Sequence, residues 1–463
     1  MTEQLKLKLN DSKATRWGAL VIVAFTMMAA YYVNDVVAPL KTMLETDLAW
    51  SSTDFGFFTG GYSFLNVFFL MLIWGGLILD RFGIRFTGKL ATILMVGGTA
   101  LEYYAMTGLA GADATLFGIN EIFGYKTGVF VAFAGYSIFG VGAEVAGITV
   151  SKIIAKWFKG KELATAMGVQ VALARIGSQA GYAVAIPLAR AFGISTPVLL
   201  GLVLLLGGMI AFFIFAVMDK KLDKQMEAAA IAAGTEDEEE KFSFKDVKNI
   251  LVNPGFWLIA LLCVLFYSCV FPFQKFASEL MIIKYGINEN VAGTFAGLPA
   301  LGALILTPVF GGFIDKRGKS ASIMLLGSAM LICVHFIYAL PDINYWLVAI
   351  VLMIILGIAF SLVPSAMWPA VAKIFPVSQL GTAYALIFFI QNIGLWGIPT
   401  LIGWVLDAYC ISGKKPDGTN MYDYTVPMCI FTSIACLSLI VALLLKKADK
   451  KYGYKLEEPN IQK

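Results

Sequence analysis

The chain has one histidine in 463 residues, only 14% charged residues, and no G-x-x-x-x-G-K-[ST] or H-E-x-x-H string. Without a phosphate loop the chain alone cannot be an ATP-driven pump. Without a histidine beside a serine or cysteine there is no hydrolase triad, and without His/Cys clusters there is no metal centre. No enzymatic activity, cofactor or metal is therefore expected. Six cysteines are too few and too buried for a disulfide framework, since all but Cys410 fall inside apolar runs. The formal charge of +4, from 35 basic against 31 acidic residues, is too small to suggest a nucleic-acid partner.

Apolar residues dominate instead. They make up 59% of the chain, with a mean hydropathy of +0.78, which excludes soluble, disordered and collagenous classes. A bilayer crossing takes about 20 apolar residues. Runs of that length fall at 17–40, 55–79, 86–109, 128–152, 163–189, 196–218, 256–283, 291–314, 320–340, 344–371, 379–406 and 425–445. The polar first 16 residues lead into the first run without a small-residue cleavage site, so that run reads as a span and not a signal peptide. Twelve spans put both termini on one side, and 27 of the 35 Lys and Arg then lie on that side, with six opposite and two (Arg175, Lys275) inside spans. That bias makes the terminal side cytoplasmic.

The hydrophilic stretch 219–253, with the acidic run Glu236 to Glu240, reads as a cytoplasmic linker with some helix between six-span halves at 1–218 and 254–446, with a tail at 447–463. The halves repeat. After span two comes Gly76-Leu77-Ile78-Leu79-Asp80-Arg81-Phe82-Gly83-Ile84-Arg85, and after span eight Gly311-Gly312-Phe313-Ile314-Asp315-Lys316-Arg317-Gly318-Lys319. This loop resembles the signature of the major facilitator superfamily. The resemblance implies an all-α fold of twelve transmembrane helices in two pseudosymmetric six-helix bundles. Small residues in the loop let helices approach, and its aspartate can face a helix N-terminus, a contact worth up to about 2 kcal/mol. Gly76, Asp80, Arg81, Gly83 and Arg85 against span eleven, and Asp315, Lys316 and Gly318 against span five, are thus a candidate latch on the cytoplasmic side.

Ionisable groups inside spans cost roughly 2.5 to 3.5 kcal/mol to insert, so each is a functional candidate. They are Asp35, Glu102, Glu144, Arg175, Lys275, Glu279 and His335. Glu144 and Arg175 lie some 12 and 20 Å from the cytoplasmic face by helical rise, each among small residues that leave room for a ligand. They are either a cavity pair or an ion pair locking two helices. Asp35 has cavity and interface readings of equal weight. Lys275 and Glu279, four apart, can satisfy each other on one helix face; otherwise Lys275 is a second cation for an anionic group. His335 reads as a packed residue. Pro272, Pro299, Pro308, Pro364, Pro369 and Pro399 are expected to break helices beside a cavity. Gln391 and Asn392, of which at most one points inward, and Asn66 supply amides, and Tyr31, Tyr267, Trp368 and Trp396 supply aromatic walls.

A closer resemblance rests on longer strings: Trp157-Phe158-Lys159-Gly160-Lys161-Glu162-Leu163, Ala174-Arg175-Ile176-Gly177-Ser178, Leu265-Phe266-Tyr267, Val270-Phe271-Pro272-Phe273, Trp368-Pro369, and Gln379-Leu380-Gly381-Thr382-Ala383-Tyr384 with Gln391-Asn392. These are similar to a dipeptide-transporting branch of the superfamily with lysosomal and bacterial members. The resemblance implies that Glu144 and Arg175 are the cavity acid and base and that Asp35 matches an acidic position of span one. It also implies alternating access with dipeptides or similar zwitterions as cargo. Lys275 and Glu279 depart from the lysosomal pattern, so a preference for cationic side chains does not carry over. The branch implies facilitated diffusion, with proton coupling left open. The rival readings are an organic-anion carrier using Arg175 with Lys275, and a transporter-like receptor signalling through 219–253. The lack of a dileucine signal and of external N-x-[ST] sequons points to a bacterial plasma membrane. The expected unit is a monomer in the lipid bilayer.

Overall fold

Hydrocarbon offers backbone N–H and C=O groups no partner, so apolar runs of this length fold as helices. The computed structural model describes residues 8–111, 114–158, 161–233 and 244–459. The first half holds α1 (Lys13–Val36), which passes through a 3-10 turn at Ala38–Leu40 into α2 (Lys41–Leu48), then α3 (Ser52–Phe68), α4 (Met71–Thr107), α5 (Thr127–Trp157), α6 (Leu163–Phe192) and α7 (Thr196–Ala233). The second half holds α8 (Phe244–Val252), α9 (Pro254–Tyr285), α10 (Glu289–Ala296), α11 (Leu298–Arg317), α12 (Ser320–Ala339), α13 (Trp346–Ile374), α14 (Val377–Tyr409) and α15 (Thr425–Tyr452). Two short antiparallel hairpins, β1 (Glu121–Ile122) with β2 (Tyr125–Lys126) and β3 (Ile411–Lys414) with β4 (Asn420–Tyr422), close loops on the side away from the termini.

Among the described residues nine helices are singly long and apolar enough to span, and α3 with α4 passes as a bent pair. The bent pair supplies spans two and three, because α4 reverses at Gly83, whose φ of +73° only glycine adopts cheaply. With α6, which carries Gln170, Arg175, Ser178 and Gln179, the crossings number twelve. Lipid-facing side chains such as Val203, Ile210 and Ile214 of α7 and Leu437, Ile440 and Leu443 of α15 are half exposed.

Two expectations are corrected. Span two is not one straight helix: α3 ends at Phe68, Leu70 takes φ +54°, and the two pieces meet at 58°. No glycine or proline marks that break. Five of the six prolines do not break their helices, since Pro272, Pro308, Pro364, Pro369 and Pro399 all lie within continuous ones; span eight is interrupted at Gly297, between α10 and α11, with Pro299 in the first turn of α11. The stretch 219–253, expected to hold some helix, is helical where described: α7 runs on to Ala233 and α8 starts at Phe244. The acidic run Glu236 to Glu240 lies outside the described residues.

The halves touch mainly on the face opposite the termini, the far face. There α3 lies on α14, and α6 lies on α10 and α11. Glycines set the approach: a Cβ on Gly56 would stand 2.4 Å from Pro399 O, one on Gly403 2.3 Å from Ser52 O, and one on Gly293 2.3 Å from Tyr182 O. Toward the termini, Gly76 and Gly381 meet nothing within 4 Å. At that terminal face the chain's end docks on the second half: Lys319 N and Ser320 N donate to Glu457 O and Leu456 O, and Lys373 donates to Glu458 O at 2.6 Å.

Candidate functional site

A cavity of about 580 Å³ lies between the halves, walled by α1, α3, α4, α5 and α6 on one side and α9, α13 and α14 on the other. Its size suits a small organic ligand. Glu144 and Arg175 both line it. Glu144 comes from α5, where Gly140 and Gly142 allow the neighbouring helices in to backbone contact. Its Oε1 accepts a hydrogen bond from Tyr62 at 3.0 Å. Arg175 comes from α6, where Gly177 presses against Met28 O. Its guanidinium lies between two rings, 5.6 Å from Tyr31 and 4.8 Å from Phe360.

Among the described residues Glu144 and Arg175 do not pair with each other, and Arg175 has no carboxylate within ion-pair distance. The helix-locking ion pair is therefore not formed in this conformation. Ring faces hold a guanidinium by cation–π attraction and leave its in-plane donors free. The cavity thus presents a carboxylate with one neutral donor and an arginine with none of its hydrogen-bonding capacity spent.

Lys275 lines the far end of the cavity. It does not turn to Glu279. Its Nζ donates to Asn34 O at 2.6 Å and meets Asp35 Oδ1 at 3.3 Å and Tyr136 OH at 3.4 Å. Glu279 pairs instead with Lys41 at 2.6 Å, and Lys41 also bonds Glu45. Tyr424 donates to Glu279, and Lys415 lies 3.6 Å from it. Lys275 and Glu279 of α9 therefore both reach across to the first half, with opposite polarity. Asp35 is not a cavity wall; it is buried behind Lys275 and accepts from Ser178.

The remaining expected residues divide. Gln391 and Trp368 line the cavity, Trp368 stacking on Phe388 at 4.8 Å. Asn392 does not: it is buried and donates to Phe388 O of its own helix. Asn66 does not either; it is buried with both amide atoms unpartnered. Tyr31 and Tyr267 are walls, whereas Trp396 meets Phe68 edge-on at 4.7 Å. His335 is packed between Phe273 and Phe431 with Nε2 on Cys269 O.

At the terminal face the charged loop residues of the first half are held within that half. Asp80 accepts from Lys152 at 3.0 Å, and Arg81 lies over the Phe82 ring. Arg85 pairs with Asp223 and stands 3.6 Å from Asp219, which Lys156 and Trp157 also bond. Asp315 and Lys316 end α11, and Gly318, at φ +70°, packs on the backbone of Glu457 and Glu458. Outside the membrane, Asp11 meets Lys161 and Glu162 meets Arg16, and these bonds hold both carboxyls below the usual range.

A carboxylate on a helix N-terminus does join the halves, but on the far face. Asp407, near the end of α14, accepts from Ser52 N and Thr53 N at the start of α3. Arg190 of α6 bonds Glu289 and Asn290 beside it. Sequence reasoning passed over Asp407, Lys41, Glu45, Tyr62 and Phe360. The first three sit at span ends, where charge is unremarked, and the last two are two among 18 tyrosines and 35 phenylalanines.

Residues 20–399 match the family model described as Major Facilitator Superfamily. The chain is 28% identical over 450 residues to the lysosomal dipeptide transporter MFSD1 of Homo sapiens, covering 94% of this chain and 87% of that one. It is 33% identical to the Gallus gallus protein of that name over 287 residues, covering 59% and 62%. Among solved structures, the nucleoside transporter NupG superposes with a TM-score of 0.68 at 12% identity, covering 92% of this chain and 98% of that one. The peptide transporter POT gives 0.67 at 14% identity, covering 95% of each.

Proposed function

The chain belongs to the Major Facilitator Superfamily, a multi-pass membrane transport protein and not an enzyme, and on that premise we propose that it carries dipeptides or similar small zwitterions by alternating access. The observation that supports this cargo is the state of the cavity charges: Glu144 and Arg175 face one space without pairing with each other. A zwitterion brings an ammonium and a carboxylate, each of which loses hydration on entry and needs an opposite charge. Glu144 would take the ammonium and Arg175 the carboxylate, with Gln391 near the amide. The relatives are named as dipeptide transporters, which agrees with this reading.

In this proposal the terminal face is the cytoplasmic one, as the Lys and Arg distribution requires. The conformation is then closed outward and open inward, and Asp80, held here by Lys152, forms its latch only in the opposite state. The working unit is a monomer. The plasma membrane reading rests on the missing sequons, and the relatives' printed name places them in the lysosome. Lys275, a second cation lining the same cavity as Arg175, supports a second reading, a carrier of organic anions.

Uptake into proteoliposomes separates the two. Glycyl dipeptides, their N-acetyl forms and their C-terminal amides are offered to wild type, Glu144→Gln and Arg175→Ala. Zwitterion recognition requires that acetylation and Glu144→Gln each abolish uptake. If the N-acetyl form and simple carboxylates are carried as well as the free peptide, and Glu144→Gln spares them, the cargo is an organic anion.

A further inference from the structure

The most exposed large apolar side chains among the described residues are not on the lipid-facing helices but in the far-face connection between α4 and α5. Phe117 is 96% exposed and Phe123 89%. Leu116 and Ile119 exchange backbone hydrogen bonds at 3.0 Å around Phe117-Gly118, and Ile122 pairs with Tyr125 around Phe123-Gly124. Both are two-residue turns with positive φ at each central residue, +54° and +80° in the first, +53° and +80° in the second. Asn-Gly or Asp-Gly is the ordinary pair for such a turn, because the first side chain must tolerate the left-handed region. A phenylalanine there is unfavourable twice, once for its backbone and once for its ring in water.

The tips do not stand away from the membrane. Phe123 precedes the start of α5 at Thr127, yet its ring lies 5.9 Å from that of Phe130, one turn inside that helix. Phe130 lies 6.1 Å from Phe133, which stacks on Phe57 at 4.0 Å, and Phe57 stacks on Tyr125 at 3.9 Å. The first hairpin is held at the same level, since Thr127 donates from N to Asn120 O at 2.9 Å and from Oγ1 to Ile119 O at 2.8 Å. Lys126 donates to Ala49 O, ahead of α3. The second tip is thus folded back beside the first turn of a spanning helix, on a base fixed by hydrogen bonds and stacked rings.

What covers the rings follows from area and charge. Two phenylalanines bury about 150 to 250 Å² each, short of the roughly 800 Å² that a stable protein interface takes from each partner. Residues 114–126 carry two charges, Glu121 and Lys126, and Lys126 is turned to Ala49, so little is left for the polar rim of a protein contact. Tyrosine and tryptophan rest among lipid headgroups, whereas a phenylalanine ring has no polar edge and belongs among acyl chains. We propose that the two turns are a lipid-binding foot, which inserts Phe117 and Phe123 into the acyl boundary of the far leaflet and sets the depth of the first half in the bilayer. Its role does not depend on the cargo.

Spin labels on the full chain in lipid nanodiscs test the foot, with the exposed Cys333, Cys429 and Cys436 replaced by alanine. Accessibility to oxygen and to a water-soluble nickel chelate gives the depth of each label. Labels at Phe117→Cys and Phe123→Cys should lie about 5 to 10 Å into the headgroup and acyl boundary. A label at Asp417→Cys, exposed in the other far-face hairpin, should read as aqueous. Labels at the two tips that meet the chelate as freely as the one at Asp417 overturn the proposal.

A label is itself apolar, so a second measurement leaves the tips unlabelled. A label at Ile119→Cys, half exposed between the two tips, should read as buried in lipid while both phenylalanines are present. Phe117→Asn with Phe123→Asn supplies the favoured Asn-Gly pair in each turn, so the hairpins keep their fold while the Ile119 label moves into water. A label that stays in lipid in this variant sinks the foot. So does shielding from both reagents with dipolar coupling between two copies, which shows that a second chain covers the rings.

Discussion

Two sets of charges lie in the membrane between the halves, and they are treated oppositely. On the far side every member is joined across the interface: Lys275 to Asp35, Glu279 to Lys41, Lys415 beside Glu45 and Glu279. In the cavity, Glu144 has a phenol and Arg175 has two ring faces, and neither has an opposite charge among the described residues. Burying an ion without a partner costs several kcal/mol, so unpaired charges persist only where something else is to pair them. The paired set holds a conformation, and the unpaired set waits for a ligand. The rings that support Arg175 keep it in place without occupying the donors a carboxylate needs.

Removing an unpaired charge should hurt most. Arg175→Ala leaves a ligand carboxylate without its partner, a loss of about 3 to 5 kcal/mol, so uptake should fall more than about a hundredfold while the protein elutes and melts as wild type. Arg175→Lys should recover only part of that, since an ammonium makes no bidentate contact. Wild-type uptake by the alanine variant would break the contrast between the two sets.

Breaking a paired charge should alter conformation and not recognition. Lys41→Met strands Glu45 and Glu279 and should move the population toward the far-open state by about tenfold or more, read as faster alkylation of a cysteine placed at Ser52. Adding Glu279→Leu should return part of the closed population. Affinity for cargo at the closed state should be unchanged; a large change would show that the far-side set also binds.

Close approach of the halves can be tested without charge. Gly56→Ala puts a methyl 2.4 Å from Pro399 O, where backbone must shift, at a cost of about 1 to 3 kcal/mol to the far-closed state. Turnover should drop about tenfold, with the same alkylation signature as Lys41→Met. Tyr62→Phe, which removes one hydrogen bond to Glu144, should weaken cargo binding by about fivefold.

The smallest effect lies outside the membrane. Asp11 and Glu162 have carboxyls held below their usual range by Lys161 and Arg16. Their stabilisation is complete above the ordinary carboxylate range and is lost as pH falls through the lowered values. Thermal unfolding should show a slight decline only under acid conditions, reduced in Glu162→Gln.

The twelve crossings, the two halves and the loop repeat at Asp80 and Asp315 were legible because hydropathy and small-residue spacing are local properties. So was the candidacy of Glu144, Arg175 and Lys275, since an ionisable residue inside an apolar run is costly wherever it ends up. The partners were not legible. Lys275 and Glu279 are four residues apart on one helix, a spacing that allows a pair, yet both reach across to the other half because the facing helices offer Asp35 and Lys41. Asn66 and Asn392 looked like cavity amides, but the rotation of their helices buries them. The bend at Phe69 and Leu70 has no glycine or proline to announce it.

Sequence alone determined which segments enter the bilayer and which charges they take with them, because transfer from water to hydrocarbon depends on composition residue by residue. Tertiary structure alone decided which of those charges pair and which face a shared cavity. Those outcomes depend on helix rotation and on ångström-scale approach between halves, which packing against distant residues sets and no single segment encodes.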